Sequence, residues 1–242
     1  MAGEAGLRGH RCLQRILAIA ACLAALAGCS PSTAPPGRLR VGVLPDTRPE
    51  QLHARHAPLL AYLQARLEVP CELVIPASYE VLVADFAAGR VDLGFFGGYT
   101  YALARERAGA DPLVMRDVDR HVSSYFLTSA RDGEVDLGAA NSVLIEQMFE
   151  RGDLRSDEVA IVWETPPYAD YVWAVPAGTP PDFRRRLREA FLALSRSDPA
   201  DAAVLHAQGT GAYLPAAPED FRELEEVVRA WRAANAEKGG RA

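Results

Sequence analysis

Two consecutive glycines, Gly97 and Gly98, follow a short apolar run and precede a segment with helical spacing that begins at Tyr99. The first turn of a helix leaves several backbone N–H groups without partners, and glycine lets a ligand approach them closely. This combination suits an anion, so the turn is a candidate binding edge. An ordinary strand-to-helix turn explains the same residues, and this alternative stays open.

The elements around this turn alternate between strands and helices, which is typical of βαβ units and a mostly parallel sheet. Ligands in such sheets bind outside the carboxyl ends of the strands, where we expect Thr47, Ser78–Tyr79 and Gly97–Tyr99 to cluster. Ser78 is also a good N-cap for the helix that follows it. The predicted strands are 40–44, 71–75, 91–96 and 112–115, and the predicted helices are 50–67, 79–88 and 99–109.

A short internal repeat favours two similar lobes. The pattern Gly-x-Val-Asp-Leu-Gly occurs at Gly89–Gly94 and again at Gly133–Gly138, and a predicted helix follows each copy. We interpret Asp92 and Asp136 in these copies as structural residues that bind the N–H groups of the glycine turns. The later predicted strands are 123–128, 159–163 and 171–175, and the predicted helices are 142–151, 181–194, 198–208 and 218–235.

The N-terminus has the features of a secretory signal. Three arginines precede the apolar run 16–27, which is too short for a permanent membrane span. The quartet Leu26-Ala27-Gly28-Cys29 resembles a bacterial lipobox, which predicts that Cys29 is lipidated and begins the mature protein. A plain signal peptide with a fortuitous cysteine is the alternative. Residues 30–38, rich in proline and small polar residues, are predicted to form a flexible tether.

Composition limits the classes of function. Residues 1–29 hold three arginines and one glutamate, so the mature chain keeps 23 of the 26 basic and 31 of the 32 acidic residues. An acidic domain is a poor partner for nucleic acid. Of the four cysteines, the mature domain keeps only Cys71 beyond the lipidated residue, so no internal disulfide is expected.

Enzymatic and metal chemistry find little support in the sequence. His53 and His56 lie three residues apart on a predicted helix, but no carboxylate or cysteine completes a metal site, so surface histidines are the preferred interpretation. No nucleophile elbow, Walker loop or dinucleotide fingerprint is present. We therefore expect no enzyme, no cofactor and no metal. The run Arg184–Arg186 is predicted to be the solvated face of a helix.

Five motifs taken together resemble the substrate-binding lipoproteins of phosphate, phosphite and phosphonate ABC importers, over about residues 40–231. They are RVGVLP at 40–45, Ser-Tyr at 78–79, GRVDLGFFGG at 89–98, RDVDRHVSSYFL at 116–127 and VWETPPYADYVWAV at 162–175. The resemblance implies an α/β, type II periplasmic-binding-protein fold with a small oxyanion ligand. It also implies permease subunits as membrane partners and a location on the periplasmic face of the cell envelope.

The sequence departs from the family where Ala130 runs directly into Arg131. The family has several dozen more residues there, including a Ser-Thr-Ser-Gly turn and a Ser-His-Asp segment that form its main anion clamp. We therefore predict one complete lobe, built from 39–128 and 176–242, and a truncated second lobe at 129–175. Losing three charge-assisted hydrogen bonds of about 1.5–3 kcal/mol each removes about 5–9 kcal/mol of binding. That loss would turn a micromolar binder into one weaker than about millimolar.

The resemblance carries over to few residues, each with a structural alternative. Tyr79 matches a hydroxyl donor of the first lobe, or covers the sheet edge. Phe96 matches an aromatic residue that lines the site, or belongs to the core. Asp170 matches an acidic position that faces an amino or protonated ligand group, or caps a turn. The full predicted ligand site is Tyr79, Phe96, Gly97, Gly98, Tyr99, Tyr168 and Asp170.

Two functional classes follow from these observations. The resemblance and the lipobox favour a transport binding protein for a small oxyanion. The missing segment favours a lipid-anchored sensor or interaction module that has lost ligand capture.

Overall fold

A six-stranded sheet forms the centre of the protein in the computed structural model, which describes residues 37–129 and 137–239. Its strands are β1 (Leu39–Val43), β2 (Cys71–Val74), β3 (Leu93–Phe96), β4 (Asp111–Arg116), β8 (Val172–Val175) and β9 (Tyr213–Pro215), in the order β2-β1-β3-β8-β4-β9. β1 pairs in parallel with β2 and β3, whereas β8 is antiparallel to β3 and β4, and β9 is antiparallel to β4. The sheet is therefore mixed, which corrects the expectation of a mostly parallel one.

Helices cover both faces of this sheet. Successive strand residues point to opposite sides, so both faces carry apolar side chains that the helices bury. In β3, Leu93 and Phe95 join one hydrophobic cluster, and Phe96 joins the other. The first cluster includes residues of α1 (Pro49–Leu67), α5 (Pro181–Leu192) and α6 (Pro199–Ala207), and the second includes residues of α2 (Tyr79–Ala87) and α3 (Gly98–Ala108). The C-terminal helix α7 (Arg222–Gly239) follows a short 3-10 turn and contacts α3.

A separate three-stranded antiparallel sheet has the order β6-β5-β7. It consists of β5 (Ser124–Ser129), β6 (Gly138–Asn141) and β7 (Val159–Glu164), with the helix α4 (Ser142–Arg151) after β6. The chain thus leaves the first sheet after β4 and returns to it at β8. The sequence interpretation put 123–128 with the first lobe and 172–175 with the second. In the structure, β5 belongs to the three-stranded sheet and β8 to the six-stranded sheet.

Local sequence signals explain most helix starts. Ser78 accepts a hydrogen bond from the Val81 N–H at 3.3 Å, and Asn141 accepts one from the Val143 N–H at 2.8 Å. Asp198 caps α6 in the same way. The prediction of Ser78 as an N-cap is confirmed.

Two short strands, β6 and β9, were not predicted, and three structural roles differ from expectation. Asp92 is structural, but its carboxylate accepts hydrogen bonds from the backbone and guanidinium of Arg40 rather than from a glycine turn. His56 is 1% exposed and not a surface residue. The arginines of α5 make specific contacts, for example Arg186 with the Leu67 carbonyl at 2.8 Å. Asp136 lies outside the described residues.

Candidate functional site

A cleft of about 550 Å³ opens between the edge of the first sheet and helix α4. Asp46 and Thr47 follow β1, and Arg116 ends β4, so all three lie at the carboxyl ends of their strands. Asp170 and Tyr171 precede β8, which is antiparallel, so they reach the same edge. The opposite wall is provided by Asn141, Val143, Leu144 and Gln147. The sheet edge predicted to bind a ligand is therefore the edge that carries the cleft.

Asp170 is a residue of the predicted site that hydrogen-bonds to both sides of the cleft. Its carboxylate accepts a hydrogen bond from the Asn141 side-chain amide at 2.7 Å and from the Gly98 N–H at 3.4 Å. Burial raises the pKa of Asp170, as does the nearby Asp119, while the two hydrogen bonds and Arg116 oppose that rise. Asp170 thereby occupies the N-terminus of α3, so the anion at the two-glycine turn is a side chain of the protein itself.

Arg116 contributes a positive charge that is already paired. Its guanidinium makes two hydrogen bonds with the Asp119 carboxylate, at 2.6 and 2.8 Å, and donates to the Gln208 carbonyl at 3.1 Å. It also lies 5.5 Å from the centre of the Phe95 ring and 5.4 Å from that of Tyr171, within the range of a cation–π contact. Arg116 therefore shapes the floor of the cleft and has little free charge to offer a ligand.

Two tyrosines provide hydroxyl donors near the cleft. Burial raises the pKa of Tyr171, helped by Asp170 and Asp46, and burial together with Asp46 raises the pKa of Tyr79. Both phenols stay protonated at neutral pH and can donate to an oxyanion. The Tyr171 ring stacks on Phe95, with 5.2 Å between ring centres, so its position is fixed by packing.

The structure brings some of the predicted residues together. Gly97 lies under Tyr171, because a Cβ placed there would be 3.6 Å from the tyrosine ring. Gly98 donates to Asp170 and is packed so closely that a Cβ would lie 2.2 Å from the Leu224 side chain. Tyr79 is 41% exposed and interacts electrostatically with Asp46 and Tyr171.

The other three predicted residues lie elsewhere. Phe96 is fully buried and meets Phe86 edge-on at 5.0 Å, so it has the core role that the sequence left open. Tyr99 faces Trp231 of α7 at 6.1 Å in a separate groove. Tyr168 bonds the Ser124 hydroxyl at 2.7 Å and borders a smaller cavity. Cys29, the predicted lipid anchor, lies outside the described residues.

Sequence reasoning missed Asn141, Arg116 and Tyr171. Arg116 closes a predicted strand and Tyr171 adjoins Asp170, so their positions at the sheet edge were available signals. Asn141 had none, because its contact with Asp170 spans 29 residues of sequence. Among the residues that the structure describes, no cluster of histidine, cysteine and acidic side chains is arranged to hold a metal ion. Within the same ranges, no helix has the length and apolar character needed to cross a membrane.

A family model described as the periplasmic substrate-binding protein of phosphonate ABC transporters matches residues 41–133 and 128–221. The chain belongs to this family. The chain is 20% identical, over 83% of its length and 92% of the relative, to a protein of Prochlorococcus marinus named as a probable phosphite-binding protein of an ABC transporter. It is 32% identical to a phosphate-import protein of Mycolicibacterium smegmatis, over 40% of this chain and 32% of that one.

Solved structures show the same fold in this phosphonate-binding family. The Prochlorococcus marinus protein PhnD1, solved with methylphosphonate, superposes with a TM-score of 0.71 at 18% identity, covering 82% of this chain and 99% of that one. A binding component of a phosphonate transporter from Pseudomonas aeruginosa gives 0.66 at 10% identity, covering 81% and 88%. The prediction of a type II periplasmic-binding fold is confirmed. The family assignment also favours transport over the sensor or interaction module, while truncation of the second lobe stays a prediction.

Proposed function

We propose that this protein captures small phosphonate, phosphite or phosphate-type oxyanions for an ABC importer, and that it binds them weakly. The observation that carries the proposal is the cleft edge itself, where Tyr171 and Asp170 line the cleft beside the N-terminus of α3 and Tyr79 interacts electrostatically with Tyr171. Two protonated phenols can donate to ligand oxygens. Asp170 can accept from a ligand that still carries a proton or an amino group.

The same geometry supports weak capture. Asp119 neutralises Arg116, and the α4 wall presents Val143, Leu144 and Gln147 rather than charged donors. Arg55 also lines the cleft, but it lies 3.6 Å from the Asp46 carboxylate that offsets its charge. Each missing charge-assisted hydrogen bond costs about 1.5–3 kcal/mol, so an oxyanion held here mainly by two phenols has a Kd of about millimolar or weaker.

Two further observations support a missing second-lobe segment. The family model matches in two blocks that meet at residues 128–133, where the sequence predicts the gap. The alignment with the phosphite-binding relative runs over 272 positions but uses only 83% of this chain, so it includes stretches of the relative that have no counterpart here. We place those stretches between Ala130 and Arg131.

The family assignment gives a periplasmic substrate-binding protein, and the finer details are part of the proposal. We place the mature protein on the periplasmic face, anchored by lipid on Cys29 after removal of residues 1–29, with 30–38 as its tether. Permease subunits in the membrane are its partners. We assign it no enzymatic activity and no cofactor.

Isothermal titration calorimetry of the purified protein with phosphate, phosphite, methylphosphonate and sulfate tests the proposal. We expect weak binding of one or more of the phosphorus oxyanions and none of sulfate. Tyr171→Phe and Tyr79→Phe should each weaken that binding by about 3- to 10-fold, because each removes one donor. Tyr99→Phe is the matched control, since its ring lies in another groove. A folded protein that gives no binding heat with any of the phosphorus oxyanions at about 20 mM ligand overturns ligand capture, because that concentration is enough to occupy a millimolar site. Micromolar binding would contradict the prediction that the family's main anion-binding segment is missing from this chain.

A further inference from the structure

Strand β7 combines an apolar sequence with an exposed position. Its sequence is Val-Ala-Ile-Val-Trp-Glu, and a continuous apolar run of this kind is typical of a strand buried on both faces. In the structure every residue after Val159 is exposed, with Ile161, Val162 and Trp163 at 48%, 55% and 54%. Neighbouring residues on both faces of the strand are therefore in contact with solvent.

The outer edge of β7 is also unpaired. In the sheet order β6-β5-β7, the strand hydrogen-bonds to β5 on one side, and no other strand in the described ranges pairs with it. Natural proteins protect such an edge with lysine, proline, a short strand or a covering element. Among the six residues of β7 the only charge is Glu164, at the end of the strand. This edge is suited to adding a strand from another chain.

We propose that β7 pairs antiparallel with β7 of a second copy of this chain, which makes the protein a dimer through its second sheet. The direction follows from charge. A parallel pair would place Glu164 directly opposite its own copy, and like charges in that position are destabilising. An antiparallel pair centred on Val162, which twofold symmetry places across from its own copy, puts Glu164 across from Ala160 and Ile161 across from Trp163.

A second copy explains the edge better than open-ended growth. Pairing two copies of β7 uses the free edge of both, so the assembly closes at two with twofold symmetry. The other edge strand, β6, has the small residues Gly-Ala-Ala before Asn141, and the Asn141 side chain is committed to Asp170 and to the cap of α4. The Phe126 and Trp163 rings, 4.9 Å apart, form an aromatic surface that the dimer would continue across both copies.

Co-capture of two differently tagged full-length copies, expressed together and extracted in mild detergent, tests the proposal. We expect capture of one tag to retain the other copy in the wild type. Val162→Lys should reduce the retained fraction about tenfold or more, because the two lysines would lie directly across from each other at the centre of the pair, where like charges are destabilising. The matched control is Val227→Lys on α7, a valine that is 65% exposed, which should leave retention unchanged.

A cross-linking experiment tests whether β7 of one copy lies beside β7 of the other, with a substitution that keeps the strand apolar. Val162→Cys should give a covalent dimer with a short bis-maleimide reagent, at several times the yield of Leu144→Cys, which is 49% exposed on α4. The wild type gives the background from its own cysteines. Thermal melting of each variant shows that it is folded, and if Val162→Lys fails that check the cross-linking yield decides.

Absence of co-capture in the wild type, or equal cross-linking yields at positions 162 and 144, overturns the proposal. A dimer lost on Val227→Lys but kept on Val162→Lys overturns it as well, because the contact would then lie on α7. These readouts do not depend on any ligand, so they are independent of the titrations that test oxyanion capture.

Discussion

The carboxylate of Asp170 and the side-chain amide of Asn141 lie 2.7 Å apart and join the two sheets of the protein. Asp170 precedes the returning strand β8, and it also accepts from Gly98 at the start of α3. Asn141 ends β6 and caps α4 through its side-chain oxygen. One hydrogen bond therefore connects the cleft edge of the first sheet with the helix that forms the opposite wall.

Replacing Asn141 by aspartate tests this connection. Asn141→Asp keeps an oxygen to cap α4 but places a second carboxylate beside Asp170, so the free energy of unfolding at pH 7 should fall by about 1–3 kcal/mol. Two adjacent carboxylates raise a pKa in the folded state above its unfolded value. The lost stability should therefore return as the pH falls below that raised pKa, in urea titrations at pH 7 and pH 5.

Asn141→Ser is the control, because serine also caps a helix but adds no charge. Its cost should change less with pH than that of Asn141→Asp, because it removes the hydrogen bond to Asp170 without adding a second charge beside that carboxylate. If Asn141→Asp has the same pH dependence as the wild type, the two side chains are not in contact in solution.

His56 should make the protein sensitive to acid. The ring is 1% exposed between Phe95 and Trp173, and burial, helped by Arg55 and Arg116, lowers the pKa of His56 to about 4. The unfolded chain then binds a proton near pH 6.5 and the folded chain does not. The free energy of unfolding should thus fall by about 3 kcal/mol between pH 6.5 and pH 4 because of this one group.

His56→Leu should remove most of that loss in urea titrations at pH 7, 5 and 4. The matched variant His53→Leu, at an exposed position on the same helix, should keep the wild-type slope. An unchanged slope in His56→Leu would show that other groups cause the acid sensitivity.

Gly94 should tolerate no side chain because of the position of Phe96. A Cβ at residue 94 would lie 2.3 Å from the Phe96 ring, which is held edge-on against Phe86. Gly94→Ala should lower the free energy of unfolding by about 1–3 kcal/mol. Gly138→Ala, with no heavy atom within 4 Å of its Cβ, should change it by less than about 0.5 kcal/mol. Similar effects in the two variants would contradict this packing.

Asp119 should be essential to stability because it neutralises a buried arginine. Arg116 and Asp119 side chains are 20% and 4% exposed, so Asp119→Ala leaves a buried, unpaired guanidinium and should cost about 3–5 kcal/mol in urea denaturation. Asp85→Ala breaks the pair with Arg90, whose side chain is 61% exposed, and should cost less than about 1 kcal/mol. Equal costs would mean that Arg116 is solvated.

The sequence predicted most elements because their patterns are local. Ser78 caps α2 as expected, and α4 has the predicted bounds, Ser142–Arg151. The strands β6 and β9 have no apolar run of their own and form only through pairing with β5 and β4. Local patterns cannot show such a strand, because its partner lies elsewhere in the chain.

The site was predicted less well for the same reason. The apolar pattern of β3 does not say which phenylalanine faces the cleft side of the sheet, and the structure places Phe95 there and Phe96 in the opposite core. Tyr99 follows the two glycines, but the direction of its side chain depends on α7, which packs against α3. The charge of Arg116 was visible, whereas its neutralisation by Asp119 required the three-dimensional contact.

The position of β8 between β3 and β4 has a consequence for the order of assembly. A ribosome makes β8 only after the whole of the smaller sheet, so the larger domain lacks an interior strand until residue 175 has been synthesised. For the same reason, insertions or deletions between β5 and β7 fall within the smaller sheet. The hydrophobic core around the six-stranded sheet can form without those residues.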